Sequence, residues 1–389
     1  MFKSLIVKIT AKLLLGISGK RSSVDPRRIK TILVNRSDRI GDAVISLPFL
    51  LELGKRFDLT VLTSRYNDHI LNPFLKTKIV INTPPKLGEV LRYLAGNFIR
   101  KSPVRTSGQT AKYDLYLDLV GIRGLRVFLN VRNDGLCSKY AGFNLGPWNK
   151  LLDYAYRGSV ELTNTGMCSA YRRLIKECLG MDIDIPDHLD LSGNTRKPAG
   201  LALPDKYLLV NIAGSNRFRG PSPRSFADIL NALDYKGSII IMDEPGQPNI
   251  AEFREFINKK DIIYLRNDYT AWELLAISAK ARLYIGSDLG ITHLLQMPVD
   301  AVIFFATGSY AVWKPYSKNP YRRSRIGGII AEDTVNSSGL RKKIIYRKVW
   351  CRPCYDIGCK GRACVAGLEK ESPGISRQIQ EMLESRPNG

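Results

Sequence analysis

Short apolar runs alternate along the chain with stretches of helical spacing, and this alternation is the main signal of the fold. The apolar runs predict strands at 31–34, 59–63, 79–82 and 115–119, and again at 207–212, 238–242, 262–265, 283–285 and 301–305. Because helical segments separate these strands, the pattern predicts an α/β protein with doubly wound, parallel sheets of the Rossmann type.

A stretch rich in proline, glycine and polar residues at 186–200 separates the two halves and predicts a linker. The chain has 389 residues, more than one hydrophobic core usually supports, so two domains are expected. Thr270 and Glu273 match the capping box that opens a helix, here predicted over 272–280. The predicted division is a terminal segment 1–22, an amino-terminal domain 23–190, a carboxy-terminal domain 191–345 and a tail 346–389.

The terminal segment has the pattern of an amphipathic helix. Apolar residues recur at three- and four-residue spacing from Phe2 to Leu13, whereas Lys8 and Lys12 fall on another face. The segment is too short and too charged to cross a bilayer. It either lies on an anionic membrane surface or packs on the body of the protein.

Polar and charged residues gather where the strand at 31–34 gives way to a helical pattern at 43–53. Arg36, Arg39, Gly41 and Asp42 lie in this junction, and Gly41 permits a tight backbone turn. Asp42 is therefore expected in the first helical turn, at the carboxyl end of a strand, where open α/β sheets bind ligands. It either complements the helix dipole or takes part in chemistry.

Two further junctions of this kind follow strands of the second half. Their small and polar residues are Gly286, Asp288, Gly290, Thr292 and His293 after the strand at 283–285, and Gly214, Ser215 and Arg219 after the strand at 207–212. Backbone N–H groups, hydroxyls and guanidinium groups placed in this way suit a diphosphate. The three junctions together favour a nucleotide-type ligand.

Two of these junctions resemble sequence blocks of glycosyltransferase family 9, the heptosyltransferases that build the inner core of lipopolysaccharide. Residues 36–48 are similar to the family's R-x-x-x-x-G-D block that ends in proline, and residues 286–293 to its G-x-D-x-G-x-x-H block. The resemblance extends over residues 30–370. It implies the GT-B arrangement, in which two Rossmann-type domains face each other across a cleft.

The resemblance also implies an activity, the inverting transfer of a heptose or related sugar without a catalytic metal. The expected donor is ADP-heptose or another nucleotide-diphosphate sugar, and the expected acceptor is the lipopolysaccharide core or a related anionic glycan. Asp42 would act as general base on the acceptor hydroxyl. The donor would contact Gly214, Ser215, Arg219, Gly286, Asp288, Gly290, Thr292 and His293. Arginines near the ends of amino-domain strands are candidates for the acceptor's phosphates or carboxylates, namely Arg36, Arg39, Arg123 and Arg126.

The chain departs from the family pattern near the expected donor nucleoside. Leu289 stands where the family usually has serine or threonine, and residues 243–247 replace a glycine-rich turn. One alternative is therefore a family-related enzyme that uses another nucleotide sugar for capsule or O-antigen. Another is a non-catalytic, membrane-attached protein that binds glycans or nucleotide sugars.

The formal net charge of +23 implies an anionic partner. The candidates are a phosphorylated, lipid-linked substrate, a membrane face and nucleic acid. Nucleic acid is the least favoured, because the basic residues are dispersed and the sequence contains no recognisable nucleic-acid module. The expected location is the cytoplasm, on the inner face of the cytoplasmic membrane.

Four of the seven cysteines are closely spaced near the carboxyl end, in the pattern C-x2-C-x4-C-x4-C. Cys351, Cys354, Cys359 and Cys364 could hold a structural zinc or iron ion. The alternative is a set of reduced thiols or local disulfides. A catalytic metal is not expected here, since no cluster of histidines or carboxylates accompanies the cysteines.

Overall fold

The computed structural model describes residues 24–72, 74–81, 113–156, 166–189, 198, 200–212, 219–243, 248–266, 268–351 and 362–385. The chain divides into two compact units, an amino-terminal unit Met1–Ile185 and a carboxy-terminal unit Pro186–Gly389. Pro186 is also the first residue of the stretch predicted as a linker. The amphipathic helix predicted at 1–22 lies outside the described residues. Within the described part of the chain, no helix has the length and apolar character needed to cross a membrane.

The described strands of the amino-terminal unit form a parallel sheet with the strand order of the Rossmann fold. They are β1 (Thr31–Arg36), β2 (Asp58–Ser64), β3 (Lys78–Ile81), β4 (Tyr113–Asp118), β5 (Cys137–Gly142) and β6 (Tyr154–Ala155). The order is β3-β2-β1-β4-β5-β6, so the direction of winding reverses between β1 and β4. In open α/β sheets, ligands bind at such a reversal point, outside the carboxyl ends of the strands.

The helices described in this unit are α1 (Ile40–Gly54), α2 (Arg65–Leu71), α3 (Leu125–Asn133) and α4 (Met167–Leu179). The apolar side chains of β1 are fully buried, as in a central parallel strand that is covered on both faces. Because only three residues separate the end of β1 from the start of α1, the first turn of α1 lies at the carboxyl edge of the sheet. The sequence pattern therefore placed Asp42 correctly in the first turn of a helix.

The carboxy-terminal unit contains a second, larger sheet. Its strands are β7 (Tyr207–Asn211), β8 (Ser238–Asp243), β9 (Ile262–Arg266), β10 (Leu283–Ser287), β11 (Ala301–Phe305), β12 (Arg322–Ile326), β13 (Ile329–Val335) and β14 (Arg341–Tyr346). The order is β12-β13-β14-β11-β10-β7-β8-β9, and the winding reverses between β7 and β10. Strands β7 to β11 and β14 pair in parallel. The prediction of two doubly wound α/β units is confirmed.

The helices described in the second unit are α5 (Pro223–Asn231), α6 (Pro248–Phe256), α7 (Ala271–Lys280), α8 (Thr292–Leu295), α9 (Tyr310–Trp313), α10 (Ala363–Lys370) and α11 (Ser372–Glu384). The predicted capping box at the start of α7 is confirmed. Thr270 Oγ1 accepts a hydrogen bond from the Glu273 backbone N–H, and Glu273 Oε2 accepts one from the Thr270 N–H. Such a box satisfies two backbone donors that a helix start leaves open.

The antiparallel edge of this sheet was not foreseen from the sequence. The edge strand β12 pairs antiparallel with β13, and β12 is a largely exposed, arginine-rich strand without an apolar run. In the tail 346–389, predicted as a cysteine-rich loop and a carboxy-terminal helix, α10 and α11 pack into the core of the second unit. Leu368, Ile375 and Ile379 are fully buried in the same hydrophobic cluster as Phe226.

Candidate active site

Charged side chains meet at the reversal point of the first sheet. Arg36 is the last residue of β1, Asp38 follows in the loop, and Asp42 lies in the first turn of α1. Arg123 comes from the other side of the reversal point, in a short 3-10 helix, Gly121–Gly124, after β4. The topology of the sheet thus brings four charges from two separate segments to one place.

Asp42 is nearly enclosed by the protein, with 5% of its surface exposed. Its Oδ2 lies 3.5 Å from a terminal nitrogen of Arg123. Burial raises the pKa of Asp42 to about 6, and the neighbouring charge of Asp38 adds to this rise, whereas Arg36 and Arg123 oppose it. A buried carboxyl with a raised pKa at the ligand-binding edge of a sheet is typical of a functional group.

Arg36 is buried and paired within its own chain. Its side chain is 1% exposed, and each of its three nitrogens donates a hydrogen bond within the protein. Nε and Nη2 bind the two carboxylate oxygens of Asp38 at 2.8 and 2.5 Å, and Nη1 binds the Tyr171 hydroxyl of α4 at 2.8 Å. The Arg36 guanidinium group is thus engaged by its own chain, and its contact with an acceptor stays a prediction.

The other predicted acceptor arginines differ in their exposure. The Arg123 side chain is 49% exposed, and its Nη2 lies 3.2 Å from Asp38 Oδ2 as well as near Asp42. Arg39 is exposed at the start of α1, and Arg126 is half-buried in the first turn of α3. Arg123 and Arg39 are accordingly the cations of this group that solvent can reach most easily.

A second buried carboxylate, Asp118 at the end of β4, supports the loop that carries these charges. It accepts hydrogen bonds from Asn35 Nδ2 at 3.0 Å, from the Tyr116 hydroxyl at 2.9 Å, and from the N–H groups of Val120 and Gly121 at 2.9 and 2.6 Å. Asn35 Oδ1 in turn accepts from Ser37. Burial raises the pKa of Asp118, although these four donors favour the ionised form. Asp118 lies within the run 115–119 that the sequence predicted as a strand, so the sequence placed it in the sheet without assigning it this role.

Gly142→Ala is expected to destabilise this support. A Cβ at position 142 would lie 2.5 Å from Asp118 Cβ and 2.8 Å from the Asp118 carbonyl oxygen, so strand β5 would have to move. We expect the free energy of unfolding to fall by about 1–3 kcal/mol. Gly54→Ala in α1 is the matched control, since its Cβ would meet its nearest neighbour at an ordinary 3.7 Å. Chemical unfolding of both variants is the measurement, and equal stabilities would contradict the expectation.

The raised pKa of Asp42 has a consequence for stability. The folded carboxyl resists ionisation up to about pH 6, whereas in the unfolded chain it ionises near pH 3.8. The folded state thus binds the extra proton in this interval, so the contribution of Asp42 to stability falls as the pH rises from about 4 to about 6.

Asp42→Asn is therefore expected to raise the free energy of unfolding at pH 8 by about 2–3 kcal/mol. Below pH 4 the carboxyl is neutral in both states, and the gain should disappear. Chemical unfolding of wild type and variant at pH 4, 6 and 8 measures this difference. A difference that does not change with pH would show that ionisation of Asp42 is not opposed by the fold.

The reversal point of the second sheet has its own polar cluster. Arg219 follows β7 and Asp288 follows β10, and Arg219 Nη1 donates to Asp288 Oδ2 at 2.8 Å. His293 Nε2 lies 3.5 Å from the other oxygen of Asp288. Asp288 is 3% exposed. The structure thus brings together three of the residues predicted to bind the donor. The Asp288 carboxylate contacts both the Arg219 guanidinium group and the His293 imidazole ring.

Thr292 braces the loop that carries this cluster, and Gly286 leaves room for the Tyr284 side chain that Thr292 contacts. The Thr292 hydroxyl donates to the Ser287 carbonyl at 2.6 Å and contacts the Tyr284 hydroxyl at 2.8 Å, and its N–H donates to the Leu289 carbonyl. Gly286 lies within β10 instead of in the expected loop, and a Cβ there would lie 2.4 Å from the Tyr284 hydroxyl oxygen. Gly290 lies in the turn before α8, and Gly214 and Ser215 lie outside the described residues.

The predicted cysteine cluster falls largely outside the described part of the chain. Cys354 and Cys359 are not among the described residues, whereas Cys351 is half-buried and Cys364 is buried in α10. Within the described ranges, no group of three or more histidine, cysteine, aspartate or glutamate side chains could hold a metal ion. The possible structural metal at these cysteines stays a prediction.

Two Rossmann-type units, each with charged side chains at its reversal point, define a doubly wound α/β protein. No family model and no curated sequence matches the chain. Several solved structures do resemble it. A glycosyltransferase family 9 protein from Veillonella parvula DSM 2008 matches 76% of this chain and 85% of its own, with 17% identity and a TM-score of 0.54.

Two structures from E. coli are similar to the same extent. Heptosyltransferase WaaC with ADP matches 74% of this chain and 91% of its own, with 14% identity and a TM-score of 0.53. ADP-heptose lps heptosyltransferase II matches 90% of this chain and 100% of its own, with 12% identity and a TM-score of 0.54. The chain therefore has the fold of family 9 glycosyltransferases, which confirms the fold that the sequence blocks implied.

Proposed function

We propose that this protein is an inverting glycosyltransferase that moves a heptose from ADP-heptose to an anionic glycan of the lipopolysaccharide core. The observation that carries the proposal is the buried carboxyl of Asp42 at the reversal point of the first sheet. With a pKa of about 6, it is mostly ionised near neutral pH and still binds a proton readily, as a general base must. The donor is suggested by structures of this fold with ADP and with ADP-2-deoxy-2-fluoro heptose.

In the proposed reaction, Asp42 takes the proton of an acceptor hydroxyl while the hydroxyl oxygen attacks the anomeric carbon of the donor. A new C–O bond forms, and the bond between the anomeric carbon and the diphosphate breaks. The electron pair of that bond leaves with the diphosphate. Attack from the face opposite the leaving group inverts the anomeric configuration.

The donor diphosphate is assigned to the carboxy-terminal unit. Arg219 and His293 both contact Asp288, so one carboxylate orients two groups that can donate hydrogen bonds to phosphate oxygens. Charge that develops on the leaving diphosphate would be stabilised by these donors and by backbone N–H groups near Gly290. Gly214 and Ser215 complete the proposed donor contacts, Thr292 braces the loop, and Gly286 leaves room for the Tyr284 side chain. No metal ion is assigned to this step.

The acceptor is assigned to the amino-terminal unit, with Arg39, Arg123 and Arg126 as candidate partners for its anionic groups. Arg123 supports this assignment best, because it is half exposed and lies beside Asp42. The net charge of +23 is consistent with an anionic, lipid-linked acceptor and with attachment to the inner face of the cytoplasmic membrane. The segment 1–22 is proposed to make that membrane contact.

Product formation tests the proposal. Wild-type protein is incubated with a truncated, Kdo-bearing lipid A acceptor, EDTA and ADP-heptose, and in parallel with GDP- and UDP-linked sugars. We expect transfer from ADP-heptose, with inversion seen in the NMR coupling of the product's anomeric proton. Transfer from another donor alone would support the capsule or O-antigen alternative. Binding of nucleotide sugars without any turnover would support the non-catalytic alternative.

A further inference from the structure

Asp38 is a buried charge next to the proposed base that the reaction described above does not use. Its side chain is 7% exposed. Both carboxylate oxygens accept hydrogen bonds from Arg36, and its backbone carbonyl accepts one from Asn67 Nδ2 at 2.9 Å. A charge buried to this extent costs free energy unless it is paired, and Arg36 supplies that partner.

The pairing of Asp38 with Arg36 is rigid. A bidentate bond between a guanidinium group and a carboxylate fixes the plane of both groups. The remaining nitrogen of Arg36 is held by the Tyr171 hydroxyl, and the Tyr171 ring stacks on Phe49 of α1 with centroids 5.1 Å apart. Tyr171 belongs to α4, so the orientation of Asp38 is set by a helix distant in sequence.

Asp38 and Asp42 lie close to each other. The same Arg123 nitrogen is 3.2 Å from Asp38 Oδ2 and 3.5 Å from Asp42 Oδ2. The charged or titratable groups that surround Asp42 are Arg36 from β1, Asp38 from the loop, Arg123 from the 3-10 helix and Tyr171 from α4. Of these four neighbours of Asp42, Asp38 is the one with a carboxylate. Its negative charge opposes the ionisation of Asp42.

We propose that Asp38 is a positioning residue for the chemistry at Asp42: held by Arg36, its negative charge strengthens Asp42 as a proton acceptor. Two neighbouring ionised carboxylates in a poorly solvated site repel each other. Protonation of Asp42 removes this repulsion, so Asp42 binds a proton more strongly than it would without Asp38. Arg36 limits the effect by neutralising part of the charge on Asp38. The catalytic meaning of this inference rests on the proposed function, whereas the interaction between the two carboxyl groups does not.

Titration of the carboxyl carbons by NMR, with 13C-labelled aspartate, measures the interaction directly. Asp42→Asn identifies the Asp42 signal. In Asp38→Asn, the titration midpoint of Asp42 should move to lower pH by about one unit, because a like charge is removed. In Arg123→Gln it should move to higher pH, because an opposite charge is removed. The exposed Asp134→Asn, on the same unit, is the matched control and should leave the midpoint unchanged.

Opposite shifts in the two variants are a result that a merely structural role of Asp38 would not produce. An unchanged midpoint in folded Asp38→Asn, or a shift in the same direction as in Arg123→Gln, would overturn the inference. A second test uses wild-type protein and therefore does not depend on the folding of an Asp38 variant. The 13C chemical shift of the Asp38 carboxyl carbon should change at the pH where Asp42 takes up its proton. An Asp38 signal that does not respond there would also overturn it.

Kinetics extend the test to the proposed function. The acidic limb of the pH profile of kcat/KM for sugar transfer should shift in Asp38→Asn to lower pH by the same amount as the NMR midpoint. If the wild-type protein transfers no sugar, the proposed function fails while the NMR result still decides the role of Asp38. If transfer occurs and the two shifts disagree, Asp42 is not the base whose ionisation the profile reports.

Discussion

Asp42→Asn is expected to lower kcat for sugar transfer by about 10²- to 10⁴-fold, the range that a positioned general base contributes. The amide has nearly the shape of the carboxylate but cannot take up the acceptor proton at neutral pH. The KM for the nucleotide sugar should change little, because the proposed donor contacts lie in the other unit. Initial rates at saturating donor and acceptor measure the effect.

The matched control for this loss is Asp58→Asn, the same chemical change at an exposed position of the same unit. It should retain wild-type kcat. Because Asp42→Asn is also expected to stabilise the fold above pH 6, its lost activity cannot be assigned to unfolding. Equal rates in wild type and Asp42→Asn would remove Asp42 from the chemistry.

Arg36→Met is expected to lower the free energy of unfolding by about 3–5 kcal/mol, the cost of breaking one side of a buried ion pair. The variant would leave the Asp38 carboxylate, which is 7% exposed, and the Tyr171 hydroxyl without the one guanidinium group that both now contact. Chemical unfolding at pH 7 measures the loss. The expectation follows from the buried position of Arg36 and is independent of the proposed function.

Arg172→Met is the matched control for this loss of stability, because it breaks an ion pair with a similar N–O distance on the protein surface. Arg172 Nε lies 2.5 Å from Asp182 Oδ1, but the two side chains are 46% and 47% exposed. Exposed pairs of this kind contribute about 0–1 kcal/mol. Similar losses in Arg36→Met and Arg172→Met would mean that the Arg36 pair is far more hydrated than its burial indicates.

Much of the fold was predictable because it depends on local patterns. A buried parallel strand is a short apolar run, and the runs at 31–34 and 301–305 correspond to β1 and β11. The capping box at Thr270 is read from two residues three positions apart, and it is present as predicted. By contrast, β12 has few apolar residues, because an exposed edge strand needs none, so no periodicity revealed it.

The candidate site was only partly predictable. Asp42 followed from a strand, a glycine and a helical pattern in one continuous stretch. Asp38 lies in the same stretch, but its importance depends on Arg36 being buried and on Arg123 reaching it from 85 positions further along the chain. Likewise, the link between Arg219 and Asp288 spans 69 positions and arises where β7 and β10 are neighbours in the sheet.

The sequence alone therefore determined what short-range forces decide: which segments become strands and helices, and that Asp42 begins a helix at the carboxyl end of a strand. The tertiary structure decided what each charge does. Whether an arginine binds a substrate or its own chain depends on solvent exposure and on partners distant in sequence, such as Tyr171, 135 positions from Arg36. Burial and charge proximity arise only when the sheet order brings β1 and β4 together, and these two quantities set the proton affinity of Asp42.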